Sequence, residues 1–361
     1  MEKALANRRS ITSTGWRYML LFLLLAACTE VIDLKVDSSE EMLIVDGRLT
    51  DGAFGNEVSL ATTSALNSNQ SPLREARISL LEDGAKIADY REVEPGKYHL
   101  IYPNDSAREG RSYQLQILLP NGKEYRSRPS IMPQTSVKDH LRVETGIFPL
   151  QIGEEGIEED RRMARLFAES DVLNADNDFY VRWDVYETWM LEERLRIVPP
   201  GTPPPVPCYI TNNITGPAIR LYNGADLKAN QLPEELFAFS EIDMRFSLQY
   251  FFHVVNSTFD QEAYQYFLRV EELANLQGSI FDKPPAPIPG NIISMDDANE
   301  EVLGYFQVVN TDTSRIKINA HELPFIVPKP CPDWNRFREP SFCTDCLEVE
   351  NSTKAKPYYW Y

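Results

Sequence analysis

Ser112-Tyr-Gln-Leu-Gln-Ile-Leu118 carries the plainest structural signal in the chain. Tyr113, Leu115 and Ile117 alternate with Gln114 and Gln116, and a period of two places the first three on one face of a half-buried strand. Short runs of the same kind lie upstream, at 43–49, 58–62, 76–81, 86–90 and 96–100, and downstream at 123–127. Asp83-Gly84, Pro95-Gly96 and Asn121-Gly122 separate them, at points where a tight turn needs a positive or preset φ. About seven short strands at this spacing predict a mainly β chain that opens on a small immunoglobulin- or transthyretin-like β-sandwich over 43–133.

Arg128-Pro-Ser-Ile-Met-Pro133 then predicts a boundary, because two prolines in six residues resist both helix and central strand. The region 134–361 reads as a β-rich domain with one packed helix. Glu154-Glu155 and Glu158-Glu-Asp160 read as a solvated acidic loop, since adjacent carboxylates repel one another. Phe179, Val181, Trp183 and Val185 alternate with polar neighbours and predict a strand over 179–189. Ahead of it, Asn174-x-Asp176-x-Asp178 imitates a calcium loop but has Phe179 where the loop needs glycine, so it reads as a turn. The prolines of 199–207 require an extended connection, and 245–255 reads as a further strand. The helix is predicted over 258–277: Thr258 and Gln261 suit a capping box, Ala263, Tyr266, Phe267, Val270, Leu273 and Ala274 share a face, and Gly278 stops it. Extended chain at 284–290 leads to late strands at 303–309 and 316–318.

The amino terminus has the form of an export signal. Lys3, Arg8, Arg9 and Arg17 precede the apolar run 18–27. Such a run rises roughly 15 Å as a helix, about half the hydrocarbon thickness of a bilayer. Leu25-Ala26-Ala27-Cys28 closes it and resembles the lipobox of bacterial lipoproteins, which implies lipid on Cys28 and removal of residues 1–27. Residues 28–42 would then form a linker. Thr29 replaces the Asp of inner-membrane retention, and Glu30 and Asp33 place acidic charge beside the anchor, so an outer-membrane destination is expected.

Formal net charge is −18 at pH 7, which argues against nucleic-acid binding, since phosphate requires basic patches. The 25 prolines, 17 glycines and 17 tyrosines suit an extracytoplasmic β protein. Beyond Cys28 lie Cys208, Cys331, Cys343 and Cys346, an even count that predicts two disulfides in an oxidising compartment. The preferred arrangement sends Cys208 and Cys331 separately to the two cysteines of Cys343-Thr-Asp-Cys346, with the assignment left open. A redox pair would want a βαβ context, and a zinc site using Cys331 and His321 lacks a second CxxC; disulfides are the stronger reading.

Several segments together resemble a family of Bacteroidota outer-membrane lipoproteins, domain-of-unknown-function family 4249. They are 28–33, 43–50, Phe179-Tyr-Val-Arg-Trp183, Gly290-Asn-Ile292, Val302-Leu-Gly-Tyr-Phe306, and the tail with Cys343-Thr-Asp-Cys346, Lys356-Pro357 and Trp360. The residues 348–353 depart from the Gly-Gly-Thr run usual in that tail. The resemblance implies a lipoprotein often encoded beside TonB-dependent outer-membrane transporters.

From this follows the expectation of a non-catalytic accessory or ligand-binding protein, a partner of such a transporter, with no cofactor and no metal. Trp183, Trp189, Trp334 and Trp360 are candidate ligand platforms, each also readable as packing. The competing expectations are an extracytoplasmic hydrolase of glycans or peptides and a structural or adhesive envelope protein. Against the hydrolase, no carboxylate pair stands out, and His99, His140, His253 and His321 fall in no HExxH pattern.

Overall fold

In the computed structural model, the residues described are 41–52, 55–63, 70–101, 107–152, 157–174, 179–193, 201, 205–215, 220–226, 230–275, 287–331 and 340–361. The expected export signal, Cys28, the part of the expected linker up to residue 40, and Trp334 lie outside them. The first strands are β1 (Leu43–Thr50), β2 (Glu57–Thr62), β3 (Ser71–Pro72), β4 (Arg77–Glu82), β5 (Ala85–Glu94), β6 (Lys97–Ile101), β7 (Ser112–Leu118), β8 (Glu124–Ser127) and β9 (Ser130–Ile131). There follow β10 (Ser136–Ile152), β11 (Ile157–Leu173), β12 (Tyr180–Leu191), β13 (Cys208–Asn213), β14 (Arg220–Asn223), β15 (Gln231–Glu241) and β16 (Gln249–Phe259). The helix α1 (Gln261–Asn275), then β17 (Ile292–Ser294), β18 (Leu303–Asn319) and β19 (Ser352–Thr353), complete the order.

The predicted alternation of β7 holds: Tyr113, Leu115 and Ile117 are fully buried. They face Leu43, Val45, Leu49, Val58 and Leu60 across one apolar core. The strand β5 turns the corner of this sandwich, pairing with β4 up to Asp89 and with β6 from Asp89 onward.

The sandwich is not closed by residues 43–133 alone. The strand β1 pairs in parallel with β18, Val45 opposite Gly304 and Leu49 opposite Val308. On the other side β17 pairs with β8, and Ile292, Val302, Phe306 and Val308 enter the same core. The segments at 290–292 and 302–306 thereby acquire a physical meaning. Asn291 donates its side-chain N–H to the Phe306 carbonyl (2.9 Å) and accepts from the Phe306 amide (2.8 Å), acting as a one-residue strand partner. Gly304 has φ +90°, and a Cβ there would meet the Val45 carbonyl oxygen at 2.0 Å. Only glycine tolerates both conditions.

The two late strands predicted at 303–309 and 316–318 are one. Past Val309, β18 leaves β1 and pairs with β16, Asn310 opposite Thr258 through Asn319 opposite Gln249. It thus belongs to both the sandwich and a second sheet, where β16 pairs with β12 and β12 with β13 and β14. A separate three-stranded sheet, β10-β11-β15, packs on that sheet. Val137, Ala164, Leu166, Val172 and Leu232 meet Trp183, Val185, Phe252 and Val254 in the second core.

Two further expectations are corrected. Glu158, Glu159 and Asp160 do not lie in a loop; they are in β11, paired with Gln151, Leu150 and Pro149 of β10. Thr258 does not begin the helix: it is buried in β16, donating its hydroxyl to the Thr135 carbonyl at 2.7 Å. Asp260 caps α1, its Oδ1 accepting from the Ala263 amide at 2.9 Å. Ala263 and Phe267 of the predicted stripe pack on Tyr180, Phe259, Tyr305 and Val309, whereas Ala274 is exposed. Among the described residues no helix is long and apolar enough to cross a membrane.

Candidate functional site: a cleft anchored on Asp139

The two sheets of the second core part company where β14, on the edge of β12, faces β15, on the edge of β11. A cavity of about 410 Å³ opens there, within the ~300–1,000 Å³ usual for small-molecule sites. Trp183 and Ser170 form its floor, Leu221 and Tyr222 one wall, and Leu232, Pro233 and Phe237 the other. Arg220 and Glu235 face each other from the two walls, Nη1 to Oε2 at 3.1 Å.

Each position follows from local structure. Trp183 faces inward because β12 alternates, and it pairs with Arg220 of β14 in the ladder. The ring of Phe237 meets that of Trp183 edge to face, centroids 5.7 Å apart. The guanidinium of Arg220 lies over the other ring, 4.5 Å from the Phe237 centroid, and donates through Nη2 to the Leu236 carbonyl at 2.9 Å.

Beneath the floor sits Asp139, 4% exposed. Its Oδ1 accepts from the Ser170 hydroxyl (2.6 Å) and the Trp183 indole N–H (3.0 Å), and its Oδ2 from the Asn256 amide (2.8 Å). Asn256 also donates to the Val137 carbonyl at 2.9 Å. Burial raises the Asp139 carboxyl above its ordinary value, against the three hydrogen bonds that favour the charged form. The result is a floor whose serine and tryptophan are both fixed from behind by one desolvated carboxylate. Side chains so held need little further ordering to serve as the floor of a binding site.

The other candidate platforms do not join this cleft. Trp189 is buried in the second core, and Trp360 packs on Tyr209 and Phe251 with Tyr359 beside it. The tail lies along the opposite face of the β13-β12-β16 sheet. There Thr188 bonds both the Tyr359 hydroxyl (3.1 Å) and His253 Nε2 (2.8 Å), while Arg315 stacks on Tyr359 at 4.6 Å. Burial, reinforced by Arg315, lowers His253 to about 3, so its imidazole is neutral at physiological pH. The four histidines stay apart: His140 pairs with Asp171 (2.8 Å), His99 approaches Glu57 (3.6 Å), and His321 sits exposed in a short 3-10 turn.

The four cysteines among the described residues are all bonded, Cys208 to Cys346 and Cys331 to Cys343. Each cysteine of the CxxC therefore has a partner outside the motif, as preferred from sequence, and these sulfurs are left neither as a redox pair nor as thiolate ligands for zinc. Glu193 lies beside Cys208 and Cys346, but its carboxylate accepts from the Cys346 amide (3.1 Å) and pairs with Lys354 (2.9 Å). Disulfide sulfurs offer no thiolate, so the group is not a metal centre.

Of the cleft residues, sequence reasoning singled out Trp183 alone. Asp139, Ser170, Arg220, Glu235 and Phe237 carry no motif, and only their meeting across two sheets distinguishes them. No curated protein matches the chain. A family model does, over residues 29–315, the greater part of the sequence. The chain belongs to the family described as Domain of unknown function (DUF4249).

Proposed function

We propose that this protein is a lipid-anchored, non-catalytic binding protein of the outer membrane that captures a small ligand in the Asp139-anchored cleft for a TonB-dependent transporter. The cleft is the observation that carries the reading. It combines aromatic and apolar walls with a few fixed polar groups, the composition of binding sites. Its floor residues Trp183 and Ser170 are immobilised by Asp139, which suits recognition. The anchoring half rests on sequence: a basic, apolar and small-residue leader ends at Leu25-Ala26-Ala27-Cys28, and the family match begins at the next residue. Two disulfides accord with an oxidising compartment outside the cytoplasm.

The deciding experiment is affinity purification of the tagged protein from native membranes under mild solubilisation. Co-recovery of a transporter is expected, together with loss of membrane association in Cys28→Ala. Recovery of the lipoprotein alone would reject the accessory role. Release of product from a glycan or peptide panel by the purified chain would reject the non-catalytic one.

A further inference from the structure

Building on the cleft reading, we propose that the ligand is a small apolar carboxylate, such as an N-acylated amino acid or a peptide carboxyl end with one bulky side chain. Its anionic group would meet Arg220 and its side chain would pack against Leu232 and the Phe237–Trp183 ring pair. The ligand class follows from what the lining can offer. Six of its nine residues are apolar or aromatic, and the Ser170 hydroxyl is already committed to Asp139. A sugar, with hydroxyls around its ring, would leave most of them without partners in such a site, whereas a side chain with one polar end would not.

The polar end is then chosen by the geometry of Arg220. Its guanidinium is stacked on Phe237 and anchored by the Leu236 carbonyl, which together set its plane before any ligand arrives, and it also bonds Glu235. A guanidinium has five N–H donors, and these two hydrogen bonds occupy two. Glu235 is the weaker partner, 61% exposed against 35% for Arg220. An ion pair so open to water contributes little, and Glu235 can swing aside. A carboxylate entering over the apolar walls meets a preset, planar, partly desolvated donor array, the arrangement that recognises carboxylates.

The test is calorimetric titration of the full mature chain with N-acetylphenylalanine, N-acetylphenylalaninamide and a neutral oligosaccharide. The carboxylate is expected to bind, and the amide at least about tenfold more weakly, the loss of one charge-assisted contact. Arg220→Gln should abolish the difference between them, and Phe237→Ala should weaken both, with far-UV circular dichroism unchanged. Equal binding of carboxylate and amide overturns the assignment of Arg220. Binding of the oligosaccharide alone, lost on Phe237→Ala, overturns the ligand class and leaves the cleft reading standing. Ligands that bind identically to wild type, Phe237→Ala and a cleft-filling Leu232→Trp overturn the cleft reading as well.

Discussion

Replacing Asp139 with alanine should measure how far the cleft floor depends on one buried carboxylate. Three donors lose their acceptor: the Ser170 hydroxyl, the Trp183 indole and the Asn256 amide. They are not equivalent. The indole N–H points in a fixed direction from a 3% exposed ring, so it bears the full cost of an orphaned donor, about 2 kcal/mol. The hydroxyl can rotate, and Asn256 keeps its bond to the Val137 carbonyl, so these two contribute about 1 kcal/mol each. Relief of the desolvated carboxylate offsets about 1 kcal/mol, leaving a net loss of about 3 kcal/mol. Asp139→Asn keeps an oxygen for Ser170 and Trp183 but sets an NH2 against Asn256, and should lose about 1 kcal/mol. Urea unfolding followed by tryptophan fluorescence reads both values. Because burial raises the Asp139 carboxyl in the folded state, its stabilising share is fullest below the ordinary carboxylate range. It diminishes as pH rises through the elevated value, so wild type should lose ground to Asp139→Asn as pH rises above the ordinary carboxylate range. An alanine variant within about 0.5 kcal/mol of wild type, or a pH trend of opposite sign, would refute this account of the floor.

Three other expectations concern the frame around the cleft. Removing Cys208–Cys346, which spans 138 residues, should destabilise the chain by about 5 kcal/mol, and removing Cys331–Cys343, which spans 12, by about 3 kcal/mol. Chemical denaturation of the paired alanine variants would show the order, and its reversal would exclude a loop-entropy origin. Glu187, 1% exposed, takes two hydrogen bonds from Arg245 (2.7 and 2.6 Å) and one from Tyr250. Arg245→Met should therefore cost about 3–5 kcal/mol, with much of the loss recovered when Glu187 is also made apolar; a double-mutant cycle with no coupling would contradict this. His253, lowered from 6.5 to about 3, destabilises the fold as pH falls through that interval, where only the unfolded chain takes up its proton. Its ring resonances should stay constant between about pH 5 and 8, and His253→Gln should lessen acid sensitivity.

Sequence patterns revealed elements where one face is wet and the other dry. Tyr113, Leu115 and Ile117 met that condition, as did Val181, Trp183 and Val185, and both strands lie where expected. The long hairpin of β10 and β11 was not legible. Asp139 interrupts the apolar face of β10 with a buried charge, and farther along Ile147 and Ile157 are exposed. The helix began late because Thr258, an apt cap by type, is held in a ladder by Asn310. The cysteines were readable as a pattern because few arrangements of four are possible. The cleft was not, because its walls come from β11, β12, β14 and β15, and alternation within one strand says nothing about which edges diverge.

The strand β18 also sets a timetable. Its partner β1 is the first strand of the described chain, yet β18 is the last long one, and Val45 cannot find Gly304 until nearly the whole polypeptide is available. In a chain emerging amino-terminus first, β1 could pair at once with β2, but its other edge would stay open while more than two hundred residues follow, and closing so long a loop is entropically slow. Waiting strands of this kind invite intermolecular pairing. The pairing that completes the sandwich thus comes late in the chain, and the same strand runs on into the sheet that bears the cleft.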